Sequence, residues 1–220
     1  MSSIMLALPS KGRIQEEAIA VFEQAGLTIE RPGGARSYLG EMAAMPDVIV
    51  RFLSASEIAR ELIRGTIDIG ITGEDLIHET AETGPQQVEI VKRLGFGRAD
   101  AVVAVPDSWI DVTTMDDLSD VAADFLTRRH FAAHGIAEYR IVESLGATEA
   151  APASGAADLI VDITSTGSTL KANGLRILED GVMLKSESLL LVARNAEWHA
   201  GKLAVLHQLA DAIGATRFQP

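Results

Sequence analysis

The sequence predicts an α/β protein of two small lobes, and three observations carry that expectation. Short apolar runs of strand length alternate with amphipathic helical stretches along all 220 residues. There are more strand-like runs than one small sheet needs. Two short segments, "GFGRAD" at 95–100 and "LKSESL" at 184–189, bracket the middle of the chain and read as hinges. Together they predict mostly parallel sheets and a lobe I of residues 1–97 plus 187–220. Lobe II, residues 98–186, is then an insertion, with a cleft between the two.

The elements follow in order. "IMLAL" reads as a buried strand, and "RIQEEAIAVFEQAG" as a helix with Ile14, Ala18, Val21 and Phe22 on one face and Gly26 as its stop. "DVIVRFL" is the next strand. Ser54 and Glu57 then form a capping-box pattern ahead of an amphipathic helix that ends at Gly65. "IDIGI" is a strand that turns straight into the helix "TGEDLIHE". "VEIVKRL", "ADAVVAV", "YRIVE", "ADLIVDI", "LRILE" and "SLLLVAR" are further strands. The alanine-rich stretch at 147–157 reads as a tightly packed helix. A long helix from Ala196 to Gly214 closes the sequence, with Trp198, Leu203, Leu206, Leu209 and Ile213 as its apolar stripe.

Composition excludes several function classes. The formal net charge of −12 argues against non-specific binding to nucleic acid or anionic membrane. There is no cysteine, so thiol catalysis, disulfides and thiolate metal sites are ruled out. The histidines His78, His130, His134, His199 and His207 lack metal spacing; His130 and His134 lie i, i+4 without an HExxH pattern. "MSSIMLALPSKGR" has no basic region before its apolar run, which suits a first strand rather than a signal peptide. No apolar stretch reaches membrane-spanning length. A soluble, cytoplasmic protein is expected.

The chemistry concentrates in turns between strands and helices. "VDITSTGSTLKANG" at 161–174 passes from strand to helix through Thr164, Ser165, Thr166, Gly167, Ser168 and Thr169. Such a turn aims unpaired backbone N–H groups at one point, the helix dipole adds favourable potential, and the hydroxyls can donate too. That suits one phosphate monoester; plain N-capping is the equally good alternative on this stretch alone. No GK[ST] follows, so it is not a Walker A loop. Asp162, expected at the C-terminal end of a parallel strand, and Glu149 in "GATE" could hold ribose hydroxyls or Mg²⁺, or could simply cap their own turns. "PSKGR" places Lys11 and Arg13 at a helix entrance, where positive charge opposes the dipole unless an anion is bound or solvent screens it. "ITGEDL" repeats the design with Thr72, Gly73 and Asp75.

Taken together, "ALPSKGR", "GTIDIGITGEDLI", "LGFGRADAVVAVP" and "GATEAAPASGAADLIVDITSTGSTLKANGL" resemble the ATP phosphoribosyltransferase family, in order and over most of the chain. The resemblance implies a two-lobed fold like the type II periplasmic binding proteins, with the active site in the cleft. It implies transfer of 5-phosphoribosyl from 5-phosphoribosyl-1-pyrophosphate (PRPP) to N1 of ATP, with release of pyrophosphate and Mg²⁺ as cofactor, as the first step of histidine biosynthesis. By position, Asp162, Thr164, Ser165, Thr166, Gly167, Ser168 and Thr169 match the PRPP loop. Lys11, Arg13, Arg36, Thr72, Gly73 and Asp75 match the ATP and polyphosphate positions, and Asp162, Glu149, Lys11 and Arg13 the catalytic ones; no residue is assigned as a metal ligand. The short length resembles members that work with a separate regulatory subunit similar to histidyl-tRNA synthetase, so histidine inhibition is expected to be absent from the isolated chain. A homodimer core is implied.

Two departures stand out. Many members carry arginine where Ser54 stands in "FLSASE"; Arg51 is nearby on the preceding strand. Members also have a strand resembling "RIATKY" where "DDLSDVAADF" here runs directly into "LTRRHF". Residues skipped between Phe125 and Leu126 would account for this better than a lost strand, which would leave sheet edges unpaired. The rival expectation is a non-enzymatic ligand sensor of the same architecture. It explains the hinges but not the phosphate turn joined to Asp162 and Glu149, and no helix-turn-helix precedes the fold. A phosphoribosyltransferase for another base would show two adjacent acidic residues before the loop, where this sequence has one.

Overall fold

A computed structural model describes residues 3–34, 37–118, 130–136, 140, 142, 146 and 148–220. Arg36 and the junction between Phe125 and Leu126 lie outside the described residues, as does most of the expected strand "YRIVE". In chain order the elements are β1 (Ile4–Pro9), α1 (Arg13–Glu23), β2 (Ile29–Glu30), β3 (Leu39–Met42), β4 (Val48–Leu53), α2 (Ala55–Arg64), β5 (Ile69–Gly73), α3 (Glu74–Thr80), α4 (Gly84–Gln87) and β6 (Val88–Arg93). There follow β7 (Ala99–Pro106), α5 (Ala151–Ser154), β8 (Ile160–Thr164), α6 (Ser168–Ala172), β9 (Leu175–Ser186), β10 (Ser188–Ala193) and α7 (Ala200–Ala212). The chain divides into two compact units, Met1–Gly97 with Glu187–Pro220, and Arg98–Ser186.

The first unit is one seven-stranded sheet in the order β2-β3-β4-β1-β5-β10-β6. β1 runs parallel to β4 and to β5, but β2, β3 and β10 pair antiparallel with their neighbours. The second unit's sheet, β8-β7-β9, is antiparallel throughout its described residues. Mostly parallel sheets were expected, and the structure corrects this. The turn between β3 and β4 is too short for a crossover, so the pair must be antiparallel. The chain leaves the first unit along β6 and comes back along β10, so those strands oppose each other.

Side-chain alternation builds two layers on the first sheet. Ile4, Leu6, Leu8, Val48, Val50 and Phe52 face α1 and α7, where Ala18, Phe22, Leu206, Leu209 and Ile213 are buried. Ala7, Leu53, Leu189 and Leu191 face α2, with Ile58, Ala59 and Leu62. Every residue of β10 is buried because both its faces are covered, which is why "SLLLVA" reads as a continuous apolar run. Gly40 admits the edge strand: a Cβ there would stand 2.9 Å from the Phe52 ring and 3.0 Å from the Glu30 carbonyl. In the second unit β7 supplies Val103 and Val105 to one core, with Phe131 and Leu178, and Val102 and Ala104 to another.

Some helix boundaries differ from expectation. Ser54 is the N-cap of α2, its hydroxyl accepting from Glu57 N–H at 3.2 Å, and Gly65 ends the helix at φ 72°. The closing helix begins at Ala200, not Ala196, because His199 adopts an extended backbone and caps it through Lys202 N–H. Trp198 therefore packs from the preceding loop. The alanine-rich stretch is a 3₁₀ turn, Thr148–Ala150, followed by the single-turn α5, with Gly155 in the left-handed region closing it.

One covered ion pair fastens α7 to the sheet. Asp68, just ahead of β5, accepts from Met5 N–H at 2.8 Å and from Lys202 Nζ at 2.6 Å, and the two side chains are only 7% and 18% exposed. Removing one partner leaves the other charge covered and uncompensated. Lys202→Ala is expected to cost about 3 kcal/mol, read from the shift of the urea unfolding midpoint at unchanged slope.

Candidate functional site

The hydroxyl-rich turn follows β8, which carries Asp162 at the third of its five positions. β8 pairs antiparallel with β7, so Asp162 does not sit at the end of a parallel strand as expected; its carboxylate Oδ1 accepts from Ile163 N–H at 2.8 Å. Burial pushes the Asp162 pKa up, the Ile163 N–H opposes that, and the nearby Glu149 carboxylate adds to the rise. Glu149 lies in the 3₁₀ turn Thr148–Ala150.

Gly167 holds the turn in the left-handed region at φ 70°, where a Cβ would be strained. Thr164 Oγ1 accepts from Gly167 N–H at 2.8 Å, leaving its own proton to donate. Thr166 and Ser168 hydroxyls bond each other at 2.9 Å, and Ser168 N–H reaches Thr166 Oγ1 at 3.3 Å. Ser165, Thr166, Ser168 and Thr169 are exposed. Among the described residues the N–H groups of Thr166, Thr169 and Leu170 meet no acceptor. α6 is set on the sheet by Leu170, 1% exposed and packed with Val102, Ala104, Ile160 and Leu175. The arrangement presents several donors and no carboxylate of its own to an anion.

The first unit places its expected residues at the sequence-later ends of β1 and β5. Lys11 and Arg13 are exposed; Arg13 lies 3.7 Å from Glu17 one turn along α1, and Gly12, at φ 78°, is the uncapped entrance. Thr72 is buried and its hydroxyl donates to the Ala55 carbonyl at 2.8 Å, so it ties β5 to α2 instead of standing open. Gly73 precedes α3, and a Cβ on it would fall 2.2 Å from Asp75 Oδ1, so the Asp75 carboxylate lies folded over the Gly73 backbone. Lys11, Arg13, Thr72, Gly73 and Asp75 share the first unit, and Glu149, Asp162 and Thr164 through Thr169 the second. Arg51 on β4 is partly buried with Nη1 3.6 Å from Met5 Sδ, while Ser54 is spent on its cap.

Sequence reasoning missed a charged group beside the Thr72–Asp75 turn. Arg93 donates to both oxygens of Glu74, at 2.9 and 3.2 Å, and to Glu187 Oε1 at 3.2 Å. These carboxylates hold the Arg93 guanidinium above its ordinary pKa, first through the hydrogen bonds they accept from it. Nothing in the linear order of 74, 93 and 187 signals the cluster; it exists because β10 slots between β5 and β6.

Among the described residues no group of three or more histidine or carboxylate side chains could hold a metal ion, and no helix is long and apolar enough to cross a membrane. Fold and turn together define an α/β protein of the periplasmic-binding-protein type. A substrate-binding protein of an amino acid ABC transporter shares this fold, with TM-score 0.52 at 13% identity over 96% of this chain and 92% of that one. A family model described as "HisG: ATP phosphoribosyltransferase" matches residues 54–214. The chain belongs to the ATP phosphoribosyltransferase family. An ATP phosphoribosyltransferase of Rhizobium etli is 54% identical over 230 residues, covering 97% of this chain and 99% of that protein. One of Nitrobacter winogradskyi is 51% identical over 97% of this chain and 71% of that protein. A chain of the Thermotoga maritima ATP phosphoribosyl transferase (HisG:HisZ) complex superposes with TM-score 0.71 at 27% identity, over 96% and 98% of the two chains.

The raised Asp162 pKa fixes the sign of a pH effect. The folded state binds the Asp162 proton more tightly than the unfolded chain does. Stability contributed by this group is therefore full below the ordinary aspartate range and is lost as pH rises through the elevated folded value. Asp162→Asn is expected to raise the thermal midpoint at neutral pH. The gain should shrink as pH falls to the ordinary aspartate range, as measured by calorimetry across a pH series.

Proposed function

We propose that this protein transfers the 5-phosphoribosyl group of PRPP to N1 of ATP with release of pyrophosphate, the first step of histidine biosynthesis, in the cytoplasm. The observation that carries the reading is the family match over residues 54–214, which contains both the Thr72–Asp75 turn and the Thr164–Thr169 turn. In the second unit, the free N–H groups of Thr166, Thr169 and Leu170 and the hydroxyls of Thr164 through Thr169 hold the 5′-phosphate. Asp162 and Glu149 accept from ribose hydroxyls. In the first unit, Lys11 and Arg13 neutralise polyphosphate, Arg36 adds to them, and Thr72, Gly73 and Asp75 shape the nucleotide's seat.

Adenine N1 is already unprotonated at neutral pH, so no strong general base is required. The chemical cost lies in aligning two polyanions and in parting C1′ from pyrophosphate, and these residues meet it by orientation and by fixed donors. Mg²⁺, when bound, supplies charge neutralisation at the pyrophosphate. Asp162 and Glu149 fit it as hard oxygen donors, since Mg²⁺ commonly takes one or two carboxylates beside substrate phosphates and does not need an all-protein cage. Arg13 leaves its carboxylate partner cheaply, because an exposed pair of this kind contributes little. A HisZ-type partner subunit and a homodimer core belong to the same reading; the Thermotoga maritima relative is part of a HisG:HisZ complex.

Incubation with ATP, PRPP and Mg²⁺, with and without a HisZ-type subunit, should yield phosphoribosyl-ATP by mass spectrometry. Folded protein that makes none in either condition would point to a ligand sensor instead. Asp162→Asn should lower kcat/KM for PRPP by about a hundredfold, the scale of lost orientation at a reacting ribose. Unchanged turnover would remove Asp162 from the ribose.

A further inference from the structure

The Thr72–Asp75 turn is held from one side by a closed ring of bonds that no expectation included. Arg93, the last residue of β6, grips Glu74 with two parallel bonds at 2.9 and 3.2 Å and reaches Glu187 with a third at 3.2 Å. Glu187 Oε2 accepts from Gly95 N–H at 2.9 Å, and its carbonyl accepts from Glu74 N–H at 3.1 Å. Gly73 pairs with Ser188, the next residue of the same segment. The ring therefore ties together the end of β6, the start of α3 and the start of β10.

We propose that Arg93 is a positioning residue for the nucleotide, fixing the Thr72–Asp75 turn through Glu74 and Glu187 in the conformation that receives ATP. The proposal rests on the reading of that turn as part of the nucleotide's seat. Glu74 and Glu187 are mostly covered, at 15% and 18% exposure, while Arg93 is about half exposed, at 52%. Without the guanidinium, two covered carboxylates meet across the turn unneutralised, and relief requires at least one to swing away. Moving Glu187 frees Gly95; moving Glu74 displaces its neighbours on either side. A lone exposed ion pair would carry little weight, but a forked guanidinium shared between two carboxylates has both the geometry and the network that give such pairs effect. Lysine cannot reproduce the fork.

The test measures KM for ATP and for PRPP separately, by phosphoribosyl-ATP formation, in the protein with its HisZ-type subunit where activity requires it. Arg93→Ala is expected to raise the ATP KM about tenfold, the scale of one lost charge-assisted contact, and to leave the PRPP KM within about twofold. Added guanidinium should restore the ATP KM, and Arg93→Lys should recover it in part. Circular dichroism confirms that each variant is folded. An unchanged ATP KM in folded Arg93→Ala, or equal rises for both substrates, overturns the proposal. Asp75→Ala separates the two possible failures. If it raises the ATP KM while Arg93→Ala does not, the positioning role falls and the seat stands. If both variants leave the ATP KM alone, the reading of the turn falls and takes the positioning role with it.

Discussion

The first unit depends on the hydrogen bonding of β10 between β5 and β6. Residues 188–193 come from far along the chain, yet they pair with Thr72 and Gly73 on one side and with Arg93 on the other. Both faces of the strand are buried, so its apolar run is satisfied only in that slot. The placement also brings Glu187 to Glu74 and Arg93. A strand whose position is set by burial thus decides where the charged groups beside the Thr72–Asp75 turn stand. The hydrophobic term does the placing, and the electrostatic term acts on what it has placed.

The second unit follows a similar logic with smaller parts. Leu170 seats a five-residue helix on a three-stranded antiparallel sheet, and that fixes where the preceding turn points. The hydroxyls satisfy one another and the Gly167 N–H, which leaves backbone donors at the helix start without acceptors among the described residues. Such donors cost free energy when they are withdrawn from water with nothing to bind. Exposure at Thr166 and Thr169 keeps that cost low in the free protein, and an anion would replace water rather than fill a void.

Much of this was legible in the sequence, for identifiable reasons. Most strands of both sheets carried period-two or continuous apolar runs, and the turns at Gly12, Gly73 and Gly167 carried the small residues that strand-to-helix passages need. Strand direction was not legible. "IVDIT" reads the same whether its neighbour runs with it or against it, and antiparallel pairing of β8 follows from chain connectivity that the local pattern does not contain. The short edge strands β2 and β3 were missed because two to four residues give no periodicity. Thr72 looked like an open hydroxyl because nothing local shows that the Ala55 carbonyl lies 2.8 Å away. The Arg93 cluster was invisible for the same reason, being assembled from three separated segments.

The Asp68–Lys202 pair has a consequence for how the chain is made. Asp68 binds Met5 N–H in β1, its carbonyl accepts from Ala193 N–H in β10 at 2.9 Å, and its carboxylate waits for an amine 134 residues downstream. As the protein emerges from the ribosome, Arg98–Ser186 is contiguous and can complete its contacts as a unit, whereas the first unit cannot fill the β10 slot or neutralise Asp68 until residues 188–202 have appeared. The segment synthesised in the middle is therefore free to be finished first, and the one begun earliest must be finished last.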